Sequence, residues 1–306
     1  MAAEELDVVL PTPEELPALL LKLAVSHEDI DPLIAHLPAR DSPSWRELER
    51  CTRLLVQNLG QVAGPPVRPE LPAGSTIPPA CFPVYVFLAA YPHVTAFHHA
   101  RGVSDEISWH TLTDLGRVLA DHRGRHGEGG LDAELTSWLT LHFSGEIYQL
   151  GRLQFQRARL GNRTGRAVSA AGHPYGPGDP ALSVHVPGRH GPLSPEACSR
   201  SFAAAREFFA RHFPEETYRV AVCNSWLLDE QLGEYLPADA NILQFQRRFQ
   251  VAYQPEPDNE TMLRFVVGGP RADRGDLPRR TTLERAIADH LNAGRHWHGG
   301  AGWALL

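Results

Sequence analysis

Apolar residues recur every three or four positions through the first 140 residues, then switch to alternation after residue 145. A spacing near 3.6 marks one face of a helix, and a spacing of two marks one face of a strand. Behind Pro13-Glu14-Glu15, a helical stripe runs through Leu16, Leu19, Leu20 and Leu23. A second stripe, Leu48, Cys51, Leu55 and Leu59, falls in Trp45–Leu59, which Ser42 or Ser44 can cap. Glu28–Leu37, Ser108–His122 and Leu131–His142 read as further helices. Pro83–Ala100 is apolar and aromatic almost throughout, as expected of one buried helix or two broken ones. The Pro- and Gly-rich stretch 61–83 between them reads as a loop.

In the second half Leu153 and Phe155 alternate with polar neighbours, while Tyr148 and Leu150 sit in the opposite phase. The slip falls at Gly151, which predicts a bulge or a helix-to-strand junction. Residues 158–180 predict a hairpin connection or a mobile loop. Leu182, Val184 and Val186 then alternate with Ser183 and His185, and Pro187, Gly188 and Gly191 break the strand. Ser194 is a natural N-cap and Pro195 suits the first turn of the helix that follows. Its inward face would carry Cys198, Phe202, Ala205, Phe209 and Phe213. Such a strand–loop–helix unit turns backbone N–H groups toward the loop and can hold a phosphate or an oxyanion. Further strands are predicted at 218–226, 243–253 and 262–267, a short helix at 229–235 and a last helix at 283–292. The expected architecture is α+β/α/β, with helical residues 1–145 followed by a mixed sheet with flanking helices at 146–306. The strands at 182–186 and 218–226 should be parallel neighbours joined by a crossover.

Composition narrows the possibilities. The chain has 306 residues, 42% hydrophobic and 21% charged, within the range of a folded soluble protein. A net charge of −7 argues against a nucleic-acid partner. No apolar stretch is long enough for a membrane span, and no signal peptide is apparent. The four cysteines are widely spaced without a CxxC pair, consistent with reduced thiols and a cytoplasmic location. His98-His99 and His296/His298 lack metal-ligand spacing, so no metal is expected.

Several phrases then resemble a known family: LGRLQF at 150–155, HVPGRHGPLSPEACSRSFAAAREFFARHFP at 185–214, CNSWLLDEQLGEYLPADANILQFQRRF at 223–249 and TTLERAIADHLNAGRHWHGGAGW at 281–303. Together they are similar to bacterial two-domain acyltransferases, with a helical N-acyltransferase N-terminal domain and a GNAT-like C-terminal domain. The resemblance implies an acyl group moved from acyl-CoA, acetyl-CoA or acyl-pantetheine to an amine or hydroxyl of an unknown acceptor, a small molecule in preference to a protein. It also implies that Val186, Gly188, Arg189, His190, Gly191, Leu193 and Ser194 bind the coenzyme A pyrophosphate. The usual Arg/Gln-x-x-Gly-x-Gly/Ala turn of GNAT enzymes is replaced here by Gly188 and Gly191. That departure leaves open a non-catalytic binding or regulatory protein with a degenerate GNAT-like domain.

Acyl transfer needs a base, an oxyanion donor and an acid for the departing thiolate. His185, just before the loop, is the candidate base, or else a half-buried strand histidine. Asn224 and Ser225 can donate hydrogen bonds at the end of the next strand, or cap a turn there. Tyr235 matches the tyrosine that protonates the thiolate in GNAT enzymes, at a longer separation. A Cys223–His185 thiol enzyme requires the two side chains to meet. Glu146 and Asp229 are reserve bases. Arg247, and likewise Arg152, should be paired in an ion pair or contact a ligand.

Overall fold

The computed structural model describes residues 6–268 and 277–306. They fall into two compact units, one ending at Tyr148 and one beginning at Gln149.

The first unit is helical: α1 (Leu16–Lys22), α2 (His27–Ala35), α3 (Pro43–Gln57), α4 (Phe82–Ala100), α5 (Asp105–Leu112), α6 (Asp114–His126) and α7 (Ala133–Phe143). Every residue of α4 from Phe82 to Ala90 is buried, so this helix forms the middle of the core and continues unbroken through Pro92. The stretch expected as one helix at 108–122 lies across two, because the chain turns at Thr113 and restarts at Asp114. Side-chain caps from Ser42, Ser104 and Asp132 set the starts of α3, α5 and α7.

The second unit carries a six-stranded sheet in the order β1-β2-β3-β4-β6-β5: β1 (Ile147–Leu150), β2 (Leu153–Arg159), β3 (Pro180–His185), β4 (Val220–Ser225), β5 (Gln250–Tyr253) and β6 (Gly300–Leu305). The helices interleaved with it are α8 (Asn162–Ala170), α9 (Pro195–His212), α10 (Asn241–Gln246), α11 (Asn259–Val267) and α12 (Thr282–Asn292). β3 is antiparallel to β2 and parallel to β4, as the alternation predicts.

Four local expectations are corrected. Gly151 is neither a bulge nor a helix junction. It takes φ +69° in a tight turn between β1 and β2, and a Cβ there would lie 2.9 Å from Ser201 Oγ. Residues 158–180 contain α8, because Gly165 is a contact residue and no helix breaker; its Cβ would meet Pro177 N at 2.4 Å. The strand expected at 243–253 is helix α10 followed by β5, and the rings of Phe245 and Phe249, four residues apart, meet tilted at 5.2 Å. The strand expected at 262–267 is the helix α11, started by Asp258, whose side chain accepts from Thr261 N. Short apolar runs do not distinguish a strand from a buried helix. The short helix at 229–235 is a 3₁₀ segment, Glu230–Glu234.

Register divides the sheet into two faces. Phe155, Val184 and Leu182 point to one, where Phe155 meets Phe202 of α9 edge-on at 5.4 Å. Ala181, Val220, Val222 and Trp303 point to the other and pack with Val168 of α8.

Candidate active site

The β3–β4 ladder is short. It joins Ala181 to Val220, Leu182 to Ala221 and Ser183 to Val222, and ends there. Both strands nevertheless run on, β3 to His185 and β4 to Ser225. Beyond the split each holds only its outer neighbour: His185 is in register with Gln154 of β2, and Asn224 and Ser225 with Ala301 and Gly300 of β6. Two parallel strands that part in this way release inner-edge N–H and C=O groups from the ladder, where they can meet an extended ligand.

β3 then leads through residues 186–193 to α9. Ser194 caps that helix, accepting from Ala197 N at 3.2 Å, with Pro195 in its first turn. Gly191 takes φ +78°, and a Cβ at either Gly188 or Gly191 would meet no atom within 4 Å. The backbone is therefore approachable at both glycines. Gly188 and Arg189 are exposed, His190 and Val186 are half-buried, and Leu193 is buried beneath the turn. The loop, the eighteen-residue helix behind it and its dipole make an anion-binding geometry.

His185 sits at the end of β3, with Nε2 2.9 Å from Gln156 Oε1 of β2. The Gln156 amide oxygen can accept from Nε2, a contact that holds the imidazole ring in place. Ser183, His185, Val222 and Asn224 share one sheet face by register. Asn224 is exposed and, with Ser183 and Gln156, lines a cavity of about 430 Å³ that Thr164 and Tyr253 also border. Above its rim the Arg163 guanidinium lies 3.6 Å over the Tyr253 ring.

Other sequence candidates have different surroundings. Ser225 points to the opposite face from Asn224 and caps the following 3₁₀ turn, accepting from Leu227 N at 3.1 Å. Tyr235 donates toward His290 Nδ1 at 2.9 Å and packs on Trp297 at 5.8 Å, in the cluster around α12. Cys223 and His185 project from opposite faces, because Val222, one residue before Cys223, is in register with Ser183. Burial pushes the Cys223 thiol up to about 12. The thiol-enzyme alternative is therefore removed. Asp229, fully buried, accepts from Gln231 N and His298 N, and Glu146 accepts from Ala63 N. Both carboxylates have structural partners. Arg247 does not interrupt a strand: it is exposed at the end of α10. Arg152 makes no ion pair among the described residues. It is buried and donates from Nη1 to Pro187 O at 2.8 Å.

The outer histidines have protein partners: His98 meets Ser108 Oγ at 2.8 Å, His296 meets Asn259 at 2.9 Å and His298 meets Pro255 O at 3.2 Å. Among the described residues no three His, Cys, Asp or Glu side chains converge as a metal site, and no helix is long and apolar enough to cross a membrane.

Sequence reasoning missed Gln156, Ser183 and α8 as parts of this site. The alternation of β2 and β3 placed the first two on polar faces, but only register made them neighbours.

Residues 14–145 match the N-acyltransferase N-terminal domain, and residues 147–304 match the GNAT-like C-terminal domain. The chain is similar over 98% of its length to a solved acyltransferase mutant in complex with octanoyl-CoA. The two are 41% identical with a TM-score of 0.86, over 90% of that chain. It is 40% identical, with a TM-score of 0.84 and the same coverage of each chain, to an acyltransferase in complex with decanoyl-CoA and teicoplanin. The same values apply to an acyltransferase in complex with CoA and 10C-teicoplanin. No curated protein matches the chain.

Proposed function

This chain belongs to the acyltransferases that join an N-acyltransferase N-terminal domain to a GNAT-like C-terminal domain, and from that premise we propose how it works and on what. It is an acyl-CoA-dependent acyltransferase of GNAT type. The acceptor in this reading is a small molecule offering an amine or a hydroxyl, the kind of partner that teicoplanin is to the similar structures. The donor domain is taken as 146–306 and the helical domain as 1–145. A cytoplasmic location, where acyl-CoA is supplied, accords with four buried free thiols.

The observation that carries the reading is the ladder that stops at Ser183 and Val222 while both strands continue. The pantetheine arm lies in that gap as an added strand, and the pyrophosphate rests on the loop from Val186 to Ser194, above the N-terminus of α9. The thioester carbonyl then meets inner-edge N–H groups of β3, which stabilise the tetrahedral oxyanion. His185, oriented by Gln156, takes a proton from the acceptor amine or hydroxyl as its nitrogen or oxygen attacks the thioester carbon. Asn224, on the same face, holds the acceptor by hydrogen bonding. The carbon–sulfur bond breaks, and the proton passes from His185 to the thiolate. An amide or ester and the free thiol of coenzyme A result. Attack is direct, with no acyl-enzyme.

The test is turnover. With octanoyl-CoA or decanoyl-CoA as donor and teicoplanin as acceptor, thiol release and a product heavier by one acyl group are expected. Failure to bind coenzyme A at millimolar concentration in calorimetry overturns the reading. Binding without thiol release for any amine or hydroxyl acceptor favours the non-catalytic alternative.

A further inference from the structure

Arg157, Arg152 and Arg248 of the sheet unit are each partly or fully buried, and they differ in their counter-charges. Arg157 on β2 is ion-paired: its Nη2 lies 2.9 Å from Glu216 and its Nε donates to Tyr218 Oη at 3.0 Å. Arg152, in the turn after β1, is only 9% exposed and has no carboxylate in range among the described residues. Its Nη1 donates to Pro187 O, where β3 gives way to the loop, and its Nε is buried without a partner. Arg248, between α10 and β5, donates from Nη2 to Pro195 O and Ser199 Oγ, both at 2.6 Å, in the first turns of α9. Its Nε too is buried without a partner.

Both guanidinium groups therefore grip the anion-binding turn, one at its entry and one at its exit. Both also act on Cys198 in the first turn of α9, where they draw its thiol down against the burial that pushes it up. Burial lowers the pKa of Arg152 as well, as expected of a cation with no counter-ion. The positive end of α9 is added to the same place. Glu196, the acid of that first turn, is exposed; the hydrogen bonds of the helix cap lower its pKa, and so do the charges of Arg200 and Arg248, so Arg248 has a carboxylate in its field while Arg152 has none among the described residues.

Holding two such cations beside a helix N-terminus is unfavourable unless an anion compensates them. A backbone carbonyl satisfies a hydrogen bond but supplies no charge. We infer that Arg152, together with Arg248 at the other end of the turn, is a positioning residue for the diphosphate of the donor, the counter-charge that Arg152 lacks, so that the two set the preference for a coenzyme A thioester over one lacking phosphates. They act through the loop and through their field, which the buried surroundings leave poorly screened. The inference rests on the donor reading above and deepens it.

The experiment compares octanoyl-CoA with octanoyl-pantetheine, which carries the same thioester without phosphates. The ratio of their kcat/KM values is measured in the wild type, Arg152→Met, Arg152→Lys and Arg248→Met. Each Met variant should lower the ratio about 10- to 100-fold, the range for a hydrogen-bonded charge, mainly through KM for octanoyl-CoA. Arg152→Lys keeps the charge and should retain most of the preference. A merely structural arginine would lower both thioesters together and leave the ratio unchanged. An unchanged ratio in Arg152→Met overturns the inference, and should that variant not fold, an unchanged ratio in Arg248→Met does. Failure of the donor reading is distinguishable, because the wild type would then turn over neither thioester.

Discussion

One buried charge in the helical unit and one in the sheet unit are treated in opposite ways. In the helical unit, Asp114 is buried at the start of α6 yet is bound by the Arg117 fork at 2.6 and 2.8 Å, the Trp138 indole N–H at 2.7 Å and His142 at 3.2 Å. Burial opposes its charge, but His142, Arg117 and Trp138 outweigh that and hold the carboxyl well below the usual carboxylate range. In the sheet unit, polar groups gather where strands part, and Arg152 at the α9 turn lacks a counter-ion among the described residues. Internal compensation makes a scaffold. Compensation left to a ligand makes a site.

The comparison can be broken at its sharpest point first. His185→Ala should lower kcat by about 10²- to 10⁴-fold, as expected for loss of a general base. The melting temperature should hardly move, since His185 is at a strand end; a folded variant with wild-type kcat would remove it from the chemistry. Asp114→Ala should do the reverse, costing about 1–3 kcal/mol of stability by removing the acceptor of the Trp138 N–H and one of the two carboxylates that hold Arg117. Denaturant midpoints measure it, and a loss below about 1 kcal/mol would mean the network is not structural.

A further effect concerns pH. His98 is fully buried with Nε2 unpartnered, and burial lowers its pKa to about 4. The unfolded chain takes up that proton near pH 6.5 and the folded chain does not. The contribution is therefore complete above pH 6.5 and is lost as pH falls toward 4, by roughly 3 kcal/mol in all. Melts from pH 7 to 4 should show the decline, and His98→Leu should flatten it. An equally steep decline in His98→Leu would assign it to other groups.

The smallest effect is expected at Gln156. Gln156→Ala should reduce kcat by about tenfold, because it removes an orienting hydrogen bond and leaves the base in place. Gln156→Glu should move the acid limb of the pH–rate profile to higher pH, since a carboxylate favours the imidazolium. A profile that does not move would show that Gln156 does not act through His185.

Much of this was legible before the fold was known. Periodicity identified the helical half, the parallel pair β3 and β4, and the turn capped by Ser194. α8, α10 and α11 were not legible. Gly165 reads as a helix breaker until Pro177 is seen against it, and short apolar runs such as 243–249 fit either period. Cys223 and Ser225 entered as site candidates because strand alternation fixes relative faces within a strand but not between strands.

What the sequence determined by itself is local: that the first half is helical, that β3 and β4 are strands, where a capped helix follows a glycine turn, and that a histidine precedes it. Hydrogen-bond range, side-chain period and capping chemistry act over a few residues, and so can be read along the chain. Only the tertiary structure decided that β3 and β4 part after Ser183, that Gln156 meets His185, and that Arg157 finds Glu216 while Arg152 finds only a carbonyl. Those outcomes depend on register and on burial between residues far apart in sequence. A buried charge is defined by what surrounds it, and local pattern does not specify its surroundings.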